Sequence, residues 1–129
     1  MVDKNYFEPQ KFSAGIIEKY KKSAKRNLDI AKSANEPEVA FHFAYMALLK
    51  IGIYHLAKEG YRTKSRPGHH QKILEHLSFL MHDENILILG DKMRKDRNLD
   101  LYGADAVPSK EELREYVEFL DRLYRKMSV

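Results

Sequence analysis

The chain has 129 residues, of which 43% are apolar and 33% charged, so it has the size and composition of one folded domain. It carries 23 basic and 19 acidic side chains, and the resulting net charge of +4 is too small to identify a nucleic-acid-binding protein by itself. The absence of cysteine excludes disulfides, thiolate metal sites and a cysteine nucleophile, and it predicts a reducing, cytoplasmic compartment. We expect residues 1–129 to form a single domain.

The first predicted helix runs from about Pro9 to Ala34. Apolar residues recur there every three or four positions, and most lysines fall on the opposite side, so the helix is amphipathic with a basic outer face. Asn35 is predicted to cap the second helix, with Pro37 in its first turn and Glu38 completing a capping box.

The second predicted helix, from Val39 to Lys58, is apolar on nearly all sides. Its length fits a membrane span, but Lys50 lies near its middle, where an ionisable group is costly in lipid. We therefore expect no membrane insertion. This helix is predicted to be the central helix of a bundle, with surplus apolar surface that meets a second copy of the chain, and to end at Gly60 in a left-handed cap.

Three further helices complete the prediction of an all-α fold. After a loop over residues 61–68, a short helix is expected from about His69 to His82, and a fourth helix is expected to start at Ile86. The last helix follows Ser109, which forms a capping box with Glu112 and precedes a regular apolar repeat.

The fourth helix is the most informative for chemistry. At about 100° per residue, its apolar stripe continues C-terminally into Arg97 and Asp100. A charge on an inward face is costly unless it is paired, so two interpretations remain open. One is a structural ion pair between Arg97 and Asp100. The other is a polar cleft around Arg97, whose planar guanidinium binds phosphate with two hydrogen bonds.

Residues 97–102 read Arg-Asn-Leu-Asp-Leu-Tyr, which resembles the R-N-x-x-x-H motif of HEPN domains (higher eukaryotes and prokaryotes nucleotide-binding). The long first helix, the Ala- and Tyr-rich second helix, the basic loop and the amphipathic last helix are also similar to that family, over roughly residues 10–127. The resemblance implies an up-and-down bundle of four main helices with an additional short helix, assembled as a homodimer. It also implies RNA or a nucleotide as the ligand. Many HEPN domains are metal-independent ribonucleases, often toxins neutralised by a minimal nucleotidyltransferase partner.

The resemblance carries site residues with it. Arg97 and Asn98 would hold phosphate, with Asp100 in the same motif, and Tyr102 stands where the family has its histidine. A phenol ordinarily titrates near pH 10, so Tyr102 is a weak general base at neutral pH, although it can donate a hydrogen bond to phosphate.

A loop histidine is the candidate for the missing imidazole. Residues 61–72 contain four basic and no acidic side chains, and two histidines follow Pro67 and Gly68 at the start of a helix. A helix N-terminus with local positive charge attracts anions. The side chains predicted to bind phosphate are Arg62, Lys64, Arg66, His69, His70, Arg94 and Lys95.

Other chemistries are not indicated. The sequence has no Glu-x-x-His or His-Glu-x-x-His motif, no glycine-rich phosphate loop and no nucleophile elbow, so we expect no metal and no cofactor. Two functions remain open. One is an RNA-directed HEPN module. The other is a catalytically inactive HEPN bundle that binds a nucleotide or a partner protein, in which Arg97 and Asp100 form only an ion pair.

Overall fold

A computed structural model describes residues 2–101 and 108–127, with the backbone alone for residues 96–101. This part of the chain is mostly helical and contains five helices and two short strands. In chain order they are β1 (Phe7–Pro9), α1 (Ala14–Ser33), α2 (Pro37–Glu59), β2 (Tyr61–Thr63), α3 (His69–Met81), α4 (Glu84–Leu101) and α5 (Lys110–Lys126).

The starts of α1 and α2 differ from the prediction. Pro9 belongs to β1, and α1 begins later because the Ser13 hydroxyl caps it by accepting a hydrogen bond from the amide of Ile16 at 3.2 Å. Helix α2 starts at Pro37 after Glu36, whose side chain makes no capping bond, so the predicted Asn35 cap and its capping box are wrong. The residue before a proline is disfavoured in the helical conformation, which makes Glu36 the boundary.

Two other predicted boundaries are confirmed. Gly60 ends α2 in the left-handed conformation, with φ of 87°, which glycine adopts without steric cost. At the start of α5, the Ser109 hydroxyl accepts from the Glu112 amide while the Glu112 carboxylate accepts from the Ser109 amide. Both are local signals that depend on residues a few positions apart.

Helix α2 lies at the centre of the bundle and packs against the other four helices. Twelve of its residues are buried, and the large apolar side chains Tyr45, Leu48 and Ile51 are almost completely inaccessible. Among the described residues it is the one helix long and apolar enough to cross a membrane, and 61% of that window is buried inside the protein.

The surface of α2 does not require a second copy of the chain. Other helices of the same chain cover its apolar sides, and its one strongly exposed large apolar residue is Val39, at 41%. The sequence argument for a dimer from surplus apolar surface therefore loses its basis, and dimerisation stays a prediction from the resemblance.

A two-stranded antiparallel sheet was not predicted. Strand β1 pairs with β2 in the register Phe7 to Thr63, and Phe7 is buried against Leu56 of α2 and Ile73 of α3. Each strand has three residues, too few to show an alternating pattern, and the partners are more than fifty positions apart. The pairing attaches the N-terminal segment to the loop that precedes α3.

Helix α3 packs closely against both α2 and α4. A β-carbon on Gly52 of α2 would collide with the Ile73 side chain, and one on Gly90 of α4 would lie 2.6 Å from Leu74. These glycines allow α2, α3 and α4 to approach one another. The close packing brings the N-terminus of α3 beside the middle of α4.

Candidate functional site

A cleft of about 430 Å³ lies where the loop before α3, the first turn of α3, and α4 meet. Its floor includes Tyr45 of α2, which is completely buried. The cleft gathers four of the seven basic or imidazole side chains predicted to bind phosphate, and these are Arg66, His69, His70 and Arg94. They come from two separate segments of the chain, so their proximity is a result of the tertiary fold.

The loop presents Arg66 at the surface of this cleft. Its guanidinium donates a hydrogen bond to the Asn5 carbonyl at 2.8 Å and lies over the ring of Tyr6, 5.5 Å from the ring centre. The loop then turns at Gly68, which has φ of 82° and precedes the first turn of α3. No side chain caps that turn, so the positive end of the helix dipole faces the cleft without an acidic group in the first turn.

His69 has a defined orientation. Its Nδ1 lies 2.6 Å from the Arg66 carbonyl oxygen, and because a carbonyl can only accept, Nδ1 must carry the proton and donate. The neutral ring then has its lone pair on Nε2, which is the form that a general base requires. The His70 ring is next to it, with ring centres 4.4 Å apart. His70 Nδ1 is 3.3 Å from the Tyr45 hydroxyl.

Arg94 supplies the second guanidinium. Its side chain is 32% exposed, and its Nη2 lies 3.4 Å from Asp91 Oδ1, which is a long contact. Its Nε is buried and has no hydrogen-bond partner among the described residues. A buried donor without a partner is unusual in a folded protein, and here it belongs to a cation that lines the cleft.

The other three predicted phosphate-binding side chains lie outside this cleft. Arg62 forms a salt bridge with Glu8 across the two strands, so an acidic residue from a distant segment neutralises one cation of a loop that has no acidic residue of its own. Lys64 Nζ donates to the Lys4 carbonyl at 3.1 Å. Lys95 is exposed on α4 and does not line the cleft.

The HEPN-like motif itself cannot be placed. The side chains of Arg97, Asn98 and Asp100, and the whole of Tyr102, lie outside the described residues. The backbone of α4 continues to Leu101, so positions 97 and 98 belong to the turn that follows Arg94. The apolar stripe that leads to the motif is confirmed at Ile86 and Met93, which are both fully buried.

Sequence reasoning missed two aromatic residues near the cleft. Tyr45 reads as an ordinary core residue of an apolar helix, and only the packing of α3 places its hydroxyl beside His70. Tyr6 lies in the N-terminal segment, which the sequence leaves without a partner, and the strand pairing brings it against Arg66. No local pattern marks either contact, because both join residues at least 25 positions apart.

Within the described residues, no group of three or more histidine or carboxylate side chains is arranged to hold a metal ion. Comparisons of the chain with protein-family models, with curated protein sequences and with solved structures gave no match.

Proposed function

We propose that the chain is an RNA-directed protein of the HEPN type, and that the cleft at the start of α3 holds a phosphate of RNA or of a nucleotide. The observation that carries the proposal is that Arg66, His69, His70 and Arg94 line one cleft. Guanidinium groups bind phosphate oxygens in pairs of hydrogen bonds, and an uncapped helix N-terminus adds amide donors.

The same groups fit metal-independent cleavage of an RNA strand. That reaction needs the 2′-hydroxyl deprotonated, the leaving oxygen protonated and the charge of the phosphorane stabilised. In the proposed site His69 acts through Nε2 as the base, His70 acts as the acid, and Arg66 and Arg94 stabilise the phosphorane. Arg97 and Asn98, one turn beyond Arg94 on α4, would extend the contact to phosphate, and Tyr102 would donate a hydrogen bond.

The binding test compares Arg94→Ala with Arg114→Ala, using a short fluorescent oligouridylate. Arg94 lines the cleft, whereas Arg114 lies on the exposed face of α5 and pairs there with Glu111. Each change removes one positive charge, so the two variants differ only in where that charge is lost. Arg94→Ala is expected to weaken binding about tenfold, since a hydrogen bond to a charged group is lost. It should also reduce the dependence of log K on log salt by about 0.7.

Arg114→Ala is expected to bind as the native chain does. Equal weakening by both variants would show that RNA contacts the basic surface in general, and the cleft would lose its assignment.

The catalytic part of the proposal has a competing candidate, the inactive HEPN bundle that binds a nucleotide or a protein. The observation in its favour is that Tyr102 replaces the histidine of the family motif. A cleavage assay in excess chelator separates the two. If the site is catalytically active, the native chain should cleave RNA, and cleavage should be lost in Arg97→Ala and in the double variant His69→Ala, His70→Ala. Binding without cleavage would establish the inactive bundle.

The homodimer and the minimal nucleotidyltransferase partner follow from the resemblance, the cytoplasmic location follows from the absence of cysteine, and all three are part of the proposal. Light scattering at micromolar concentration tests the dimer. Co-purification with a minimal nucleotidyltransferase encoded by a neighbouring gene tests the partner. A monomer would exclude a cleft shared between two chains, and the single-chain cleft described above would then have to act alone.

A further inference from the structure

The N-terminal segment, residues 3–9, contacts the basic side chains around the cleft in two different ways. Its carboxylates neutralise two of them. Glu8 pairs with Arg62, and Asp3 Oδ2 lies 3.6 Å from Lys72 Nζ, which also pairs with Glu75 at 3.3 Å. These two cations therefore have counter-ions within the protein.

Arg66 is held differently. Within the described part of the chain its partners are the Asn5 carbonyl at 2.8 Å and the face of the Tyr6 ring at 5.5 Å, and no carboxylate pairs with it. A carbonyl and an aromatic face attract a guanidinium and restrict its orientation without cancelling its charge. The charge of Arg66 thus stays available to an anion in the cleft, which it lines.

Tyr6 is itself firmly placed. Its carbonyl accepts a hydrogen bond from the Lys64 amide at 2.7 Å, and its neighbour Phe7 is buried at 3% exposure. The ring also faces the Lys72 ammonium at 5.3 Å. The Tyr6 ring is therefore held in place by the pairing of β1 with β2 and by the buried cluster of Phe7, Leu56 and Ile73, against which it packs.

We propose that Tyr6 is a positioning residue for the phosphate-binding cleft, because its ring and the adjacent backbone carbonyl hold the Arg66 guanidinium oriented but not neutralised. This inference rests on the proposed function. An exposed arginine loses considerable side-chain freedom when it binds a phosphate, and a guanidinium that is already restrained loses less. Tyr6 acts on affinity through Arg66 and touches no ligand.

The test is a double-mutant cycle on binding of the oligouridylate. Tyr6→Leu removes the aromatic face and is expected to weaken binding about two- to fivefold, the range of an exposed cation–π contact. Tyr6→Phe keeps the face and should bind as the native chain does. In the Arg66→Ala background, Tyr6→Leu should have no further effect, since its influence passes through Arg66.

Glu8→Gln is the matched control from the same segment. It breaks the pair with Arg62 and leaves the Tyr6 and Arg66 contact intact, so affinity should not fall. A measurement on the native chain complements the variants. The ring current of Tyr6 should shift the NMR signals of the Arg66 side chain upfield, and signals at random-coil positions would overturn the inference.

The outcomes separate this inference from the proposed function. If Arg66→Ala binds as tightly as the native chain, the assignment of the cleft as a phosphate-binding site is wrong, and the positioning role of Tyr6 is wrong as well. If Arg66→Ala binds weakly but Tyr6→Leu binds normally, or if Tyr6→Leu weakens binding equally in both backgrounds, the cleft stands and the positioning role is overturned.

Discussion

The cleft at the start of α3 and the surface around α5 both have a high density of charge, but they differ in how that charge is compensated. Around α5, cations meet carboxylates. Lys92 lies 2.6 Å from Glu112, and Asp121 is bridged at 2.7 Å by both Lys32 and Arg125.

In the cleft, the Arg66 guanidinium lies against a backbone carbonyl and an aromatic face, and Arg94 forms a longer ion pair with Asp91. Arg66 and His69 donate to backbone oxygens, and the nearest described carboxylate contact of Arg94 is 3.4 Å long. A surface whose cations are paired with carboxylates has little to offer an anion, whereas a cation that has no carboxylate partner among the described residues, such as Arg66, attracts one. The pairing of charges thus distinguishes the two regions, although both have similar residue types.

The largest expected effect concerns the inner face of α5. Leu120 is fully buried in the core, so Leu120→Ala should lower the free energy of unfolding by about 2–5 kcal/mol through lost burial and a cavity. Urea denaturation measures this, with Arg114→Ala as the control on the exposed face of the same helix, expected within about 0.5 kcal/mol of the native chain. Oligouridylate affinity, measured well below the unfolding midpoint, should not change. A loss of affinity would show that α5 is coupled to the cleft.

A smaller effect on stability, combined with an effect on binding, is expected in the cleft. Gly68 has φ of 82°, so Gly68→Ala should cost about 1–2 kcal/mol and displace the loop that presents Arg66. Gly15→Ala in α1 is the control. Its β-carbon would have only an ordinary contact at 3.9 Å, and the change should be neutral or slightly stabilising. If Gly68→Ala retains native affinity, the loop conformation does not matter for the cleft.

The smallest effect is a pH dependence at α5. Hydrogen bonding from Lys32, together with the charges of Lys32 and Arg125, holds the pKa of Asp121 below its ordinary value of 3.8 against the opposing effect of burial. A carboxyl with a lowered pKa in the folded state stabilises the fold above its unfolded pKa, and this contribution is lost as pH falls through the folded pKa. The free energy of unfolding should therefore fall below about pH 4.

Asp121→Asn should make that acid-induced fall smaller, and so should Lys32→Met, which removes the principal partner. The double variant should add little to either single change, because both remove the same interaction. Chemical denaturation at several pH values measures the slope. A native slope in both single variants would contradict the assignment of this group.

The predicted helices and caps are confirmed where the sequence pattern that indicates them is local. The capping box at Ser109, the left-handed Gly60 and the all-round apolar pattern of α2 each depend on residues within a few turns. The prediction was wrong at Pro9 because that residue belongs to β1, which forms through pairing with a distant strand. It was wrong at Asn35 because Pro37 sets the start of α2 at the residue that follows Glu36.

The candidate site was predicted as a set of residue types but not as a grouping. The sequence indicated a basic loop and two histidines at a helix start, and it treated all seven side chains alike. The fold brings Arg66, both histidines and Arg94 to one cleft, and it pairs Arg62 with Glu8 instead. Charge patterns along a chain do not reveal a counter-ion that comes from a distant segment.

By itself, the sequence determined that this chain is a mostly helical domain with a buried central helix and a basic segment before α3, since hydrophobic periodicity and turn residues act over short distances. Only the tertiary structure decided which cations have a carboxylate partner. That depends on the pairing of β1 with β2 and on the approach of α3 to α4, both of which join residues far apart in the chain. Whether a cation is neutralised depends on the groups near it in space, because the attraction between two charges falls with their separation and is largely screened beyond about 10 Å in 0.1 M salt.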